Sequence, residues 1–149
     1  MGASLPSGSR SPQTWRPTLR VRIEIGFPAA HRIRLDARAR GTLEPVHVHH
    51  WRACAHLDWQ GDHGPPEPVV ATAHDLLAGW VARYRGRSLN DVPPFDRINP
   101  TAEEVAVELA RELGQHLPEE LEVSQITIGE AAGFSASYRP LVGAQQTVV

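Results

Sequence analysis

From Leu19 to Phe27 apolar and polar side chains alternate, with Leu19, Val21, Ile23, Ile25 and Phe27 on one face and Arg20, Arg22 and Glu24 on the other. That period of two predicts a half-buried β-strand. Pro28 is expected to break the strand, leaving His31 just past the break. Residues 32–45 read as a loop carrying Arg32, Arg34, Arg38 and Arg40, for which a solvated loop is a better reading than an anion site. A second strand is predicted from Val46 to Trp59. On it His47, His49, Trp51, Ala53, Ala55, Leu57 and Trp59 share one face, while His50, Arg52, Cys54, His56 and Asp58 share the other.

The stretch from Gln60 to Pro68 holds two Gly and three Pro, and predicts a turn leading into a short strand at Val69 and Val70. Thr72-Ala73-His74-Asp75 has the spacing of a capping box. It opens a helix over Leu76, Leu77, Trp80, Val81 and Tyr84, with Gly86 as its stop. Thr101-Ala102-Glu103-Glu104 is a second capping box. The helix it starts carries Val105, Leu109 and Leu113 on one stripe and is expected to end at Gly114. Two strands follow, Leu121 to Glu130 and Phe134 to Tyr138, with Glu130 the single carboxylate of a junction of small residues. The order predicts an α+β domain, an antiparallel sheet with two helices on one face. Residues 1–18, rich in Ser, Pro, Gly and Arg, are expected to be a flexible N-terminal tail that Trp15 could dock. The folded domain would span 19–140, and 141–149 would form a C-terminal tail.

Composition narrows the chemistry more than the architecture. A chain of 149 residues is long enough for one domain with a real core. A net charge of −2 gives no electrostatic reason to expect nucleic acid or a membrane surface as partner. No apolar run is long enough to span a bilayer, and no apolar stretch follows the N-terminal charges as in a secretory leader. A single cysteine rules out an internal disulfide and fits a cytoplasmic location. All 15 basic residues are arginine, which removes Schiff-base lysine chemistry, pyridoxal-phosphate anchoring and a Walker-type phosphate lysine.

The stretch that stands out is Val46-His47-Val48-His49-His50-Trp51. On a strand, residues at i and i+2 point the same way, so His47 and His49 form a ready pair of nitrogen donors for a metal such as zinc. His31 is the candidate third ligand. Strand parity sets Cys54 on the face opposite that pair, which argues against a nucleophile beside the metal.

Four segments in order then resemble the 6-pyruvoyl-tetrahydropterin synthase and 6-carboxy-tetrahydropterin synthase (QueD-like) family. Phe27-Pro28-Ala29-Ala30-His31 is similar to its first zinc-ligand segment, and His47-Val48-His49-His50-Trp51 to its His-Gly-His-Asn-Tyr segment. Asn99-Pro100-Thr101-Ala102-Glu103 is similar to its Asn-Pro-Thr-x-Glu helix start, and Glu130 stands where the family has the carboxylate that anchors the pterin ring. The resemblance, over about Leu19 to Tyr138, implies a tunnelling fold (T-fold), in which subunits join into an oligomeric barrel, here a homotrimer or homohexamer. It implies Zn2+ held by His31, His47 and His49 with an open fourth position, and a heterocyclic substrate held by Glu130, with Trp51 as a second substrate contact. An open corner is also how a catalytic zinc differs from a structural one.

The chain departs from the family where protons move. Leu43 and Gly41 occupy the candidate positions for the family's cysteine, and its Asp–His pair has become Arg85-Gly86. Glu44, three residues before His47, matches a glutamate used by a variant branch. Placed proton-transfer groups contribute roughly 10²–10⁴-fold each, so the family's ordinary reaction is not expected at ordinary rates. The base would be Glu44, His50 or His74, although His74 also fits a helix's first turn and His50 lies opposite the ligands. The leading expectation is a zinc-dependent lyase or cyclase acting on a pterin-like or other heterocyclic molecule in a specialised pathway. The alternatives are a non-catalytic zinc- and ligand-binding homologue and a zinc-dependent hydrolase.

Overall fold

The computed structural model describes residues 19–34 and 44–141. The proposed N-terminal tail with Trp15, the loop positions Arg38, Arg40, Gly41 and Leu43, and all but Leu141 of the proposed C-terminal tail lie outside them. Four strands, β1 (Leu19–His31), β2 (His47–Trp59), β3 (Leu121–Ala131) and β4 (Phe134–Tyr138), form an antiparallel sheet in the order β1-β2-β3-β4. Two helices, α1 (Glu67–Ala82) and α2 (Ala102–His116), pack on one face, with a single 3-10 turn at Leu89–Asp91 between them. The expected α+β fold is the observed one.

The core is built from the alternation seen in the sequence. Ile23, Phe27, Trp51, Ala53, Ala55, Leu57, Ile126 and Ile128 turn toward the helices and meet Leu77, Trp80, Val105, Leu109 and Leu113. A chain of aromatic contacts, Phe27 to Trp80 to Tyr84 to Phe95, runs along the base of this layer with centroid separations of 6.3, 4.7 and 5.5 Å. Such edge-on and tilted pairs add to the area they bury. On the opposite face Arg22, Glu24, Arg52, Cys54, His56 and Thr127 line a shallow depression, so Cys54 lies where parity put it. Burial pushes its thiol above the ordinary value.

Five local expectations are corrected. Pro28 does not end β1, which pairs with β2 without interruption from Leu19↔Trp59 to His31↔His47. Proline is tolerated because β1 is an edge strand. The Pro28 carbonyl accepts from Gly86 N–H on the outer side, so its nitrogen also points outward, where β2 needs no donor. Val69 and Val70 form no strand but the first turn of α1, which begins at Glu67 behind Pro66. Pro68 falls in that first turn, where its missing N–H has no intrahelical partner to lose. Thr72 consequently caps nothing and donates back to the Pro68 carbonyl at 2.8 Å. That helix stops at Arg83, three residues before Gly86, whose φ of +72° instead shapes the following turn. In α2 the Thr101 hydroxyl accepts from Glu104 N–H at 3.2 Å, as its capping box requires. The helix passes Gly114 and ends at Leu117, whose extended backbone (ψ 149°) is the conformation a following proline imposes, here Pro118.

The two threonines make a direct check on these helix starts. Thr101→Ala should cost about 1 kcal/mol in urea unfolding through loss of the cap. Thr72→Ala, in a helix interior where alanine is the better former, should cost nothing measurable.

Candidate metal centre

Because β1 continues through Pro28, parity carries His31 to the helix-covered face, directly across from His47. His49 lies two residues further along β2, opposite Ala29. The three rings stand nearly edge-on to one another, with centroids 4.6, 5.2 and 4.7 Å apart at interplanar angles of 70°, 68° and 87°. The fourth member is Glu130, two residues after the inward-facing Ile128, in a stretch of β3 made irregular by a bulge between Gly129 and Ala131. One donor atom from each of His31, His47, His49 and Glu130 lies within 4.8 Å of the others.

Burial and hydrogen bonding fix the state of the rings. His31 is fully buried, and its Nδ1 lies 2.8 Å from the Pro100 carbonyl. A carbonyl only accepts, so Nδ1 carries a hydrogen and Nε2 is the nitrogen left to face a metal. That Nε2 is buried and makes no hydrogen bond. His47 repeats the arrangement, with Nδ1 2.9 Å from the Pro45 carbonyl. Outer-sphere carbonyls of this kind orient metal-binding histidines and set their tautomer. Burial pushes the His49 imidazole below its ordinary value, against the opposing pull of Glu130, which favours the neutral, ligand-competent ring. Donors ~2.0–2.1 Å from a tetrahedral zinc lie roughly 3.3–3.4 Å from one another. Glu130 Oε1 lies 3.3 Å from His49 Nε2 and 2.9 Å from His31 Nε2. The residues therefore suit a small divalent cation with nitrogen and oxygen donors.

The segment leaving β1 is held by contacts that sequence reasoning did not anticipate. The Asn90 side-chain amide donates to the Arg32 carbonyl at 3.0 Å and its oxygen accepts from Arg32 N–H at 2.9 Å. Asn99 does the same two residues on, bonding both backbone groups of Arg34 at 2.8 Å. Between them Glu44 Oε2 accepts from Ile33 N–H at 2.6 Å. The Arg34 guanidinium closes the clamp on the carbonyls of Phe95, Asp96 and Ile98. Asn99 also precedes Pro100, so one short segment both grips the exit of β1 and supplies the carbonyl for His31. The sequence signals were Asn90 and the Asn99-Pro100-Thr101 motif; nothing in the pattern paired them with residues 32 and 34.

The other proposed site residues are scattered. Glu44 lies beside His47 on its Nδ1 side, with Oε1 3.9 Å away. His50 is exposed on the opposite face, its Nε2 lying over Gly26, where a Cβ would come within 2.9 Å of it. His74 is exposed within α1, not in its first turn, and stands outside the cluster. Trp51 is corrected from substrate contact to floor. It is fully buried, donates to the Ala29 carbonyl at 3.1 Å, and sets its ring edge-on to His31 at 4.8 Å. At the outer edge of β1, Arg85 donates to the Gly26 carbonyl at 3.1 Å and Gly86 N–H donates to the Pro28 carbonyl.

The sequence profile of the family described as 6-pyruvoyl tetrahydropterin synthase matches residues 20–141. The chain belongs to that family. The 6-pyruvoyl tetrahydropterin synthase of Caenorhabditis elegans shares the fold with a TM-score of 0.68 at 19% identity, over 84% of this chain and 97% of that one. An uncharacterized protein from Wolinella succinogenes superposes with a TM-score of 0.63 at 14% identity, covering 85% of this chain and all (100%) of the other. The Plasmodium vivax synthase does so with a TM-score of 0.59 at 12% identity over 85% and 100%, in a variant described as lacking a catalytic glutamate. No curated protein matches the sequence. Among the described residues no helix is long and apolar enough to cross a membrane.

The paired amides give this geometry its own test. Asn99→Ala strands both backbone groups of Arg34 in a half-buried position and should lower stability by about 1–3 kcal/mol, read by urea denaturation. Asn99→Asp, which keeps the acceptor and loses the donor, should fall between it and the parent.

Proposed function

We propose that this chain is a zinc-dependent lyase or cyclase of the pterin synthase family, acting on a pterin-like or other heterocyclic small molecule. The observation that carries the reading is the buried, unbonded Nε2 of His31, whose tautomer is fixed from behind by the Pro100 carbonyl and which faces two further imidazoles. A lone pair left without a partner in a protein interior costs about 1–3 kcal/mol, and a metal removes that cost. Zinc bound there would polarise a substrate carbonyl or hydroxyl oxygen as a Lewis acid.

The remaining work falls to the chain's own side chains. His31, His47 and His49 hold the ion. Trp51 and the clamp of Asn90 and Asn99 hold His31. Glu130, whose carboxylate can accept two parallel N–H bonds, orients the ring of the substrate. Glu44 carries the proton. It is the acidic group nearest the cluster after Glu130, and in the P. vivax relative a glutamate is likewise described as catalytic. Assembly of subunits into a trimeric or hexameric barrel belongs to the same reading. Exposed Phe134 and Tyr138 on the edge strand β4, and Leu19 at the other edge of the sheet, would be covered by it.

One observation favours a second reading, a non-catalytic binder that keeps metal and pocket. Arg85 and Gly86 supply no acid or base and serve the β1 edge instead. The purified full chain should contain about one zinc per subunit, and His31→Ala should lose it. Incubation with dihydroneopterin triphosphate and a panel of heterocycles, followed by mass spectrometry, separates the readings: a new product supports the enzyme, whereas binding without product supports the binder. In the enzyme, Glu44→Gln should lower turnover by roughly 10²–10⁴-fold with zinc retained. Full turnover by that variant would remove Glu44 from the proton path.

A further inference from the structure

The geometry points to Glu130 as an exchangeable fourth ligand: its carboxylate closes the metal site at rest and must leave before an oxygen of the substrate can enter. This inference rests on the metal reading above and alters what the free protein looks like. An open corner occupied by solvent is replaced by a corner occupied by the chain itself.

Three facts meet at this side chain. Oε1 of Glu130 lies 2.9 Å from His31 Nε2 and 3.3 Å from His49 Nε2. The 2.9 Å contact brings a carboxylate oxygen up to the buried Nε2 of His31. Nε2 nevertheless makes no hydrogen bond, so the short separation is not spent on a direct bond between the two side chains. A cation shared by both atoms would make them neighbouring ligands: the 3.3 Å separation from His49 Nε2 matches adjacent corners of a zinc tetrahedron, and the 2.9 Å separation from His31 Nε2 would have to open by a few tenths of an ångström. Glu44, the other acid near the cluster, has one oxygen engaged by Ile33 N–H and stands on the Nδ1 side of His47.

Position favours exchange over a permanently closed site. The Glu130 side chain is 18% exposed, beside His49 at 24% and His47 at 33%, while His31 is 1% exposed, so the carboxylate lies on the part of the cluster that an entering ligand can reach. It stands at the bulge that leads into the β3–β4 hairpin, and the turn there uses Gly133 at φ +78°. A single carboxylate on three rotatable bonds can swing away, whereas the imidazoles are pinned by Pro100, Pro45 and Trp51. In the exchange one metal–oxygen bond to Glu130 would break and one to the incoming oxygen would form, so the ligand count is kept while the carboxylate leaves with its charge. The freed carboxylate is then within reach of an N–H of the same molecule. The ligand class this selects has a metal-binding hydroxyl or carbonyl oxygen a short distance from an N–H donor.

Cobalt in place of zinc reports the ligand set through its visible spectrum. Full-length protein, Glu130→Ala and the size-conserving Glu130→Gln are loaded with Co2+, and affinity is measured by chelator competition. Glu130→Ala should bind cobalt at least about tenfold more weakly, the low end of what even outer-sphere partners contribute. Its spectrum should differ from the parent's and return toward it on addition of acetate. Acetohydroxamate, an oxygen-donor probe, should bind the alanine variant more tightly than the parent, because no carboxylate has to be displaced. Unchanged affinity and spectrum in both variants, with metal-free melting temperatures equal to the parent's, would overturn the assignment and leave the three-histidine centre standing. A parent that takes up neither cobalt nor zinc would instead overturn the metal reading itself.

Discussion

The hydrogen bond from His31 Nδ1 to the Pro100 carbonyl is the contact on which the site depends. It joins the end of an edge strand to the start of α2, two parts of the chain 69 residues apart, and it does so inside the protein. Its consequence is electronic as well as geometric. With Nδ1 engaged by the carbonyl, Nε2 is the nitrogen turned toward the cluster, and burial keeps water from it. Everything around it serves to keep this arrangement. Trp51 closes the floor, two asparagine amides grip the backbone just beyond, and Thr101 caps the helix whose first turn follows Pro100.

The same contact explains why the fold tolerates a proline in the middle of a long strand. β1 must reach His31 in register with β2, because a slip of one residue would turn the ring to the arginine-rich face. Pro28 lies on the outer edge, where the loop at Gly86 and Arg87 accommodates a strand with one missing donor. The residues of that loop serve the edge of the sheet.

The two faces of the sheet divide the chemistry. The helix-covered face ends in imidazoles and one carboxylate with an apolar layer beneath, a setting that strengthens electrostatic interactions. The other face carries Arg20, Arg22, Arg52 and His56 with partners such as Asp58 and Glu24, and there burial, helped by the Arg charges, holds His56 below its ordinary value. Cys54 belongs to that second face, in a depression remote in character from a metal centre.

Much of this protein could be read from the order of its residues. Period-two alternation determined which side chains of β1 and β2 face the core, and with it the pairing of His47 and His49, because side-chain direction along a strand is a local property. The Thr101 capping box and the two C-terminal strands were equally legible, since their signals lie within a few residues. The errors came where a local signal was outweighed: Val69 and Val70 joined a helix begun by Pro66, and Gly114 was carried through by a helix that Pro118 ends. Only the tertiary structure decided the rest. That His31 stays in the strand depends on β1 being at the edge, that Trp51 is floor depends on what covers it, and that Glu130 reaches the imidazoles depends on the bulge in β3. Each is a matter of which neighbour lies across the sheet, and no short window of sequence contains that neighbour.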